Sequence, residues 1–216
     1  TATMHAKTGR TVTRRRFLEQ AARGGAGVGV LGALSPVIAA QQQPGQKGSL
    51  PTRPLGRSKY NATVVSFGAL YLDRPHGTAI IQRVIDTGVN LIHTSMSYRG
   101  GRAIRCIGAL FNKDKSYRQR VLLCLKSYRP ADESELDEML KILGTDHTDV
   151  YLPTMHEASQ SRLTEIQQSL DKYIKKGKVR LRGVVCHNHL NDVLELILKK
   201  APKYFDVALL AMRMVP

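Results

Sequence analysis

The feature that most restricts the fold is an alternation: short apolar runs recur beyond residue 50, and stretches with helical periodicity separate them. Such alternation builds βαβ units, in which successive strands lie parallel and the connecting helices cover the sheet. Six runs read as strands, at residues 64–68, 90–94, 121–126, 150–152, 181–185 and 207–210. Each is β-branched or Leu-rich, as strands buried on both faces are. Five helices fall between them. The clearest are 78–87, with Ala79, Ile80, Val84 and Ile85 apolar; 134–143, where Ser134 caps and Asp137 takes the capping-box position; and 164–176. Six strands and five helices fit an α/β barrel in progress.

The first forty residues are different in kind. Thr13-Arg14-Arg15-Arg16-Phe17-Leu18 precedes an apolar, Gly/Ala-rich stretch from Ala26 to Ala40, broken only by Ser35 and Pro36. A charged start, an apolar run and a small-residue end such as Ala39-Ala40 are the three regions of a signal peptide. Arg14 and Arg15 followed by Phe17 and Leu18 resemble the twin-arginine type, which carries folded proteins out of the cytoplasm. The expected location is therefore periplasmic, on the extracytoplasmic face of the membrane. The apolar run is shorter than the ~20 residues of a spanning helix. Cleavage after Ala40 and retention as an anchor helix both stand. The Gln/Gly/Pro-rich segment 41–49 reads as a linker, because it has too few apolar groups to offset the entropy of ordering. The folded domain is expected over 50–216.

Hydrophobic residues make up 42% and charged residues 23%, which excludes a disordered chain and a multi-span membrane protein. Lys and Arg outnumber Asp and Glu by 33 to 17, and only six of the bases and one acid lie in the leader. The body is thus basic, and contact with a membrane or an acidic partner is expected ahead of nucleic acid. The densest basic run, from Lys172 to Arg182, sits at a helix end and turn, where cations complement exposed carbonyls. Cys106, Cys124 and Cys186 are odd in number, far apart and without CxxC spacing, so neither a disulfide framework nor a zinc site is implied.

Pro54-Leu55-Gly56-Arg57, Ser66-Phe67-Gly68, Ile85-Asp86-Thr87-Gly88-Val89-Asn90, Leu143-Gly144-Thr145-Asp146-His147-Thr148-Asp149 and Gly177-Lys178-Val179-Arg180-Leu181-Arg182-Gly183-Val184 stand in this order. In sequence and spacing they resemble the aldo/keto reductase family. The resemblance implies a (β/α)8 TIM-barrel-like fold. With about six strands and five helices in hand, the barrel is expected to be incomplete and preceded by a signal or anchor helix. Chemistry in such barrels belongs at the carboxyl ends of the strands.

The family combines a tyrosine acid, a lysine and an aspartate that tune it, and a histidine that orients a carbonyl, with NADP(H) or NAD(H) as hydride source. Tyr98, in His93-Thr94-Ser95-Met96-Ser97-Tyr98, matches the tyrosine, and Lys126, ending the third strand, matches the lysine. A phenol of ordinary pKa ~10 donates poorly at neutral pH, so a neighbouring cation is needed. His93 stands where the family has its aspartate, which removes the fixed negative charge that holds the lysine. The family histidine falls on Thr154, with His156 two residues late. A two-residue bulge at Pro153 would restore His156; otherwise it is a plain loop histidine.

For the cofactor, the resemblance points to Gly68, Cys186 and Asn188, although Val185-Cys186 replaces the Ser-Asn pair that often grips the carboxamide. No metal is expected: His187 and His189 lack a Cys or carboxylate partner in sequence. Two functions are carried forward. One is a membrane-anchored accessory subunit without effective catalysis, docked through the open edges of an unclosed barrel onto a protein partner, and possessing no cofactor. The other is an active aldehyde or ketone oxidoreductase using NAD(P)H, expected if strands follow Pro216.

Overall fold

The computed structural model of the chain describes residues 50–73 and 75–211. The twin-arginine segment with Arg14, Arg15, Phe17 and Leu18, the apolar stretch and the linker lie outside the described residues. Among those described, no helix is long and apolar enough to cross a membrane.

Two short strands come first, β1 (Thr52–Pro54) and β2 (Asn61–Thr63), paired antiparallel with Arg53 opposite Ala62. The turn between them places Gly56 at φ +57, where a Cβ would stand 2.7 Å from the Asp206 carbonyl oxygen, so only glycine fits. This hairpin was not expected. It also displaces the first predicted strand: Thr63 donates its backbone N–H to Asn90 Oδ1 at 2.8 Å and its hydroxyl to the Val65 carbonyl at 2.7 Å. These bonds turn the chain at Val64 and Val65, which are exposed and belong to no strand of the main sheet. Only β3 (Phe67–Gly68) of that run joins the sheet.

The main sheet has six parallel strands in sequence order: β3, β4 (Leu91–Ser95), β5 (Leu122–Ser127), β6 (Thr148–Pro153), β7 (Val179–Cys186) and β8 (Val207–Leu210). Each crossover carries a helix of ten or more residues. In chain order these are α1 (Gly77–Asp86), α2 (Arg102–Lys113), α4 (Glu133–Leu143), α5 (Gln160–Lys175) and α6 (Leu190–Lys200), with a single turn, α3 (Ser116–Gln119), ahead of β5. This is the α/β, TIM-barrel-like architecture that the alternation predicts.

Helix starts differ from expectation by a few residues. Asp132, not Ser134, caps α4 by accepting from Glu135 N–H at 3.2 Å, and Ser134 donates to that same carboxylate. Ser159 caps α5 through Arg162 N–H. The basic run after α5 is locally neutralised. Lys172, Lys176 and Lys178 converge on Glu133, Arg180 meets Asp149 at 2.8 Å, and Arg182 meets Asp171 at 3.1 Å.

Strand alternation sorts the core into two layers. Ile92, Leu123, Leu125, Tyr151, Val184 and Cys186 pack with helix residues such as Ile81, Ile107, Leu136 and Leu163. Cys124, Val150, Leu152 and Val185 turn to the opposite, inner face, with Leu91 and Leu181 against them. Two glycines allow close approach: a Cβ on Gly108 in α2 would lie 2.2 Å from the Ile142 carbonyl of α4, and one on Gly183 would lie 2.6 Å from Tyr151 O.

Candidate active site

Period two along β4 and β5 puts His93 and Lys126 on the inner face, in step with Leu91 and Cys124. Both stand toward the carboxyl ends of their strands. Lys126 is 3% exposed, and a buried ammonium is costly unless it is hydrogen-bonded. It has two partners: Nζ donates to Tyr128 Oη at 2.8 Å and to His187 Nε2 at 2.9 Å. An ammonium has no lone pair, so His187 accepts through Nε2 and carries its own proton on Nδ1. Neither contact is a carboxylate, and Lys126 forms no ion pair among the described residues.

Tyr98 opens a 3-10 turn (Tyr98–Gly101) directly after β4. Three successive residues, Arg99, Gly100 and Gly101, adopt left-handed backbone there, and Asp73 binds Arg99 and Arg102 on the outside of the bend. The turn brings the Tyr98 ring edge-on to His93, with centroids 5.6 Å apart, and leaves its centroid 5.8 Å from Lys126 Nζ. The Tyr128 ring is nearer to Nζ, at 4.5 Å from the centroid. Tyr98 makes no hydrogen bond among the described residues.

The electrostatics follow from burial around one cation. Burial first, then the charges of Lys126 and His187, hold the His93 pKa down at about 4, so the imidazole is neutral near pH 7. Its Nε2 is buried without a partner. Burial, reinforced by Tyr128, pushes Tyr98 up to about 12. His187 is lowered by burial, then by Lys126 and His156. The imidazole of His93 does not bind Lys126; His187 fills that part from the bend just after β7, two strands along from β5.

The sheet continues in register past the end of β6. Thr154 pairs in parallel with Val185, its N–H reaching Ser127 O at 2.8 Å, and Met155 N–H reaches Val185 O at 2.9 Å. The two-residue bulge that would have moved His156 inward is absent. Thr154 is fully buried with an unpartnered hydroxyl, while His156 is exposed and stacks on Tyr128 with centroids 5.5 Å apart. The cluster is therefore His93, Tyr98, Lys126, Tyr128, His156 and His187. Sequence reasoning missed Tyr128 and the role of His187, yet both lie two residues beyond an inward-facing position, Lys126 and Val185 respectively.

The positions suggested for a nicotinamide do not assemble into a grip among the described residues. Cys186 turns to the helix side, fully buried, and burial pushes its thiol up to about 11, so it stays neutral. Gly68 ends β3 opposite His93 with nothing within 4 Å of where a Cβ would stand, which is open space rather than a cradle. Asn188 is exposed on the loop after β7. No group of three or more His, Cys, Asp or Glu side chains among the described residues is arranged to hold a metal ion.

The sequence signature of the aldo/keto reductase family matches residues 64–216. The fold is similar to that of an aldo/keto reductase from Brucella melitensis, at 21% identity and TM-score 0.62, over 76% of this chain and 63% of that one. It is likewise similar to the aldo-keto reductase AKR11C1 from Bacillus halodurans in its holo form, at 20% identity and TM-score 0.62, over 70% and 54%. A thermostable aldo-keto reductase, Tm1743, solved with the inhibitor epalrestat, aligns at 21% identity and TM-score 0.65, over 77% and 64%. The matched part thus spans less than two thirds of each of these structures. No curated protein matches the chain.

Proposed function

The chain belongs to the aldo/keto reductase family, and from that premise we propose that it is a reductase-like protein in which carbonyl reduction is weak, acting chiefly as an exported accessory subunit. The observation that carries this reading is the setting of Lys126, whose ammonium is held by a phenol and a neutral imidazole and by no carboxylate. Proton delivery to a carbonyl needs an acid whose conjugate base is stabilised. Here Tyr98 is half-buried beside a neutral His93, and its proton is held more tightly than in water. The displaced His156 and the helix-side Cys186 weaken the remaining parts of the family set.

Export and tethering rest on Arg14-Arg15-Arg16-Phe17-Leu18 and the apolar stretch behind it. The docking partner would be a protein. The test has two arms. Fractionation of the source cells with external protease reads location: protection in intact cells and digestion after outer-membrane permeabilisation support export. NADPH consumption by the natural-length protein with an aldehyde panel reads activity, and turnover at rates ordinary for enzymes overturns the impaired reading.

A second reading has one observation in its favour. Lys126 is deeply buried, hydrogen-bonded and flanked by two tyrosine rings, an arrangement costly to keep without use. On that reading the protein is an active NAD(P)H-dependent aldehyde or ketone oxidoreductase, and Tyr98 or Tyr128 supplies the proton.

A further inference from the structure

A second concentration of charge lies at the amino ends of the strands, the end of the sheet away from Lys126. Arg118 stands on α3 ahead of β5, His147 directly precedes β6, Asp149 and Arg180 are the second residues of β6 and β7, and Tyr60 comes from the turn between β1 and β2. These side chains line a cavity of about 350 Å³, within the size range of small-molecule sites. Asp149 is 1% exposed; its Oδ2 accepts from Arg118 and from Leu123 N–H, and its Oδ1 accepts from Arg180. One carboxylate thus faces two guanidiniums. Arg118 is tied down further by Thr145 Oγ1 and the carbonyls of Val121 and His147. Arg180 gives Asp149 only an Nη1 N–H, and its Nε and Nη2 groups make no hydrogen bond among the described residues. Lys59, whose Nζ stands 5.9 Å from the Tyr60 ring centroid, adds positive charge beside the cavity. The remaining acid, Asp146, is in solvent and accepts from His147 Nδ1 at 2.5 Å. That bond makes Nε2 the acceptor of the neutral imidazole, and Nε2 is buried without a partner.

We propose that this cavity binds a small molecule carrying an oxyanion with a hydroxyl beside it, of the hydroxycarboxylate or sugar-phosphate kind. The unspent Nε and Nη2 edge of Arg180 is a planar pair of donors, the geometry that grips two oxygens of one carboxylate or phosphate. Asp149 balances one guanidinium and leaves the charge of the other for the ligand. The hydroxyl answers a separate need: a buried nitrogen without a partner is costly, and His147 Nε2 accepts what a hydroxyl donates. A pair kept for stability alone is complete with Arg118 and Asp149, which meet at 3.0 Å nearly out of solvent. Arg180 adds a half-exposed cation with most of its donors unspent. The site shares no residue with the cluster around Lys126, so the inference stands whether or not the chain reduces carbonyls.

The probes are sodium lactate and glycerol 3-phosphate, with propionate and methyl phosphate as their hydroxyl-free counterparts, titrated calorimetrically against the natural-length protein at constant ionic strength. Saturable binding of lactate or of glycerol 3-phosphate is expected, and the one that binds names the source of the oxyanion. Its hydroxyl-free counterpart is expected to bind about tenfold more weakly or worse. Arg180→Gln is expected to weaken binding about tenfold or more, and His147→Phe to erase the preference for the hydroxyl. If Arg180→Gln fails to fold, Arg180→Lys decides, because it keeps the charge beside Asp149 and loses the planar fork; the same weakening is expected. Failure of both probes to saturate, equal binding of the hydroxyl-free counterpart, a preference that survives His147→Phe, or undiminished binding in the Arg180 variant overturns the proposal. The readout contains no turnover, so failure here is distinguishable from failure of the accessory reading.

Discussion

Lys126 on β5 donates to His187 Nε2 at 2.9 Å, a bond between residues 61 positions apart that replaces a carboxylate contact with a neutral one. This contact and others in the fold have measurable consequences.

The first is stability against acid. His93 has a folded pKa of about 4 against an ordinary 6.5, so between those values the unfolded chain binds a proton that the folded chain refuses. Stability from this group is complete above about pH 6.5 and declines as pH falls toward 4. The full loss is up to about 3 kcal/mol from the size of the shift. Urea unfolding at a series of pH values checks it: the His93→Asn variant is expected to lack this part of the decline.

Asp149 is a structural counterexample to the bare lysine. It is 1% exposed, binds Arg118 at 3.0 Å and Arg180 at 2.8 Å, and accepts from Leu123 N–H at 2.9 Å. Asp149→Ala leaves the nearly buried Arg118, on the turn before β5, without its carboxylate partner. A loss of about 3 kcal/mol is expected, the low end for a broken buried pair because Arg180 is half in solvent. Chemical denaturation of the two proteins measures it.

Gly108 sets the distance between α2 and α4. A Cβ there would stand 2.2 Å from the Ile142 carbonyl, far inside contact distance, and backbone has to move to admit it. Gly108→Ala is expected to destabilise by about 1–3 kcal/mol, the usual cost of overpacking, despite alanine's better helix propensity. A fall in melting temperature tests this, whereas a rise would mean that the helices separate at no cost.

The parallel strands were legible because their sequences are unbroken apolar runs, as in Leu122-Leu123-Cys124-Leu125, and because helices with clear periodicity separate them. The hairpin before them was not, since Thr52–Pro54 and Asn61–Thr63 are short and largely polar, and the adjacent Val64-Val65 pair drew the strand assignment away. That error turns on Asn90, whose side chain captures Thr63 from across the fold and cannot be foreseen from local pattern. Lys126, Tyr98 and His93 were readable through family resemblance. Tyr128 and His187 were readable only by carrying the period of two past the strand ends. The contact between Lys126 and His187 needs the curl of the sheet, which no local signal encodes. His156 was left between two readings, and Thr154 decides it by staying in register with Val185.

The proposed weakness of carbonyl reduction rests on Lys126 having no anionic partner among the described residues, and it is tested by kcat/KM for NADPH-dependent aldehyde reduction by the natural-length protein and its His93→Asp variant. Activity near background is expected for the natural sequence, with a rise of about tenfold or more in the variant, equivalent to about 1.4 kcal/mol of transition-state stabilisation. Ordinary enzymatic rates in the natural sequence, with the variant unchanged or slower, would contradict it.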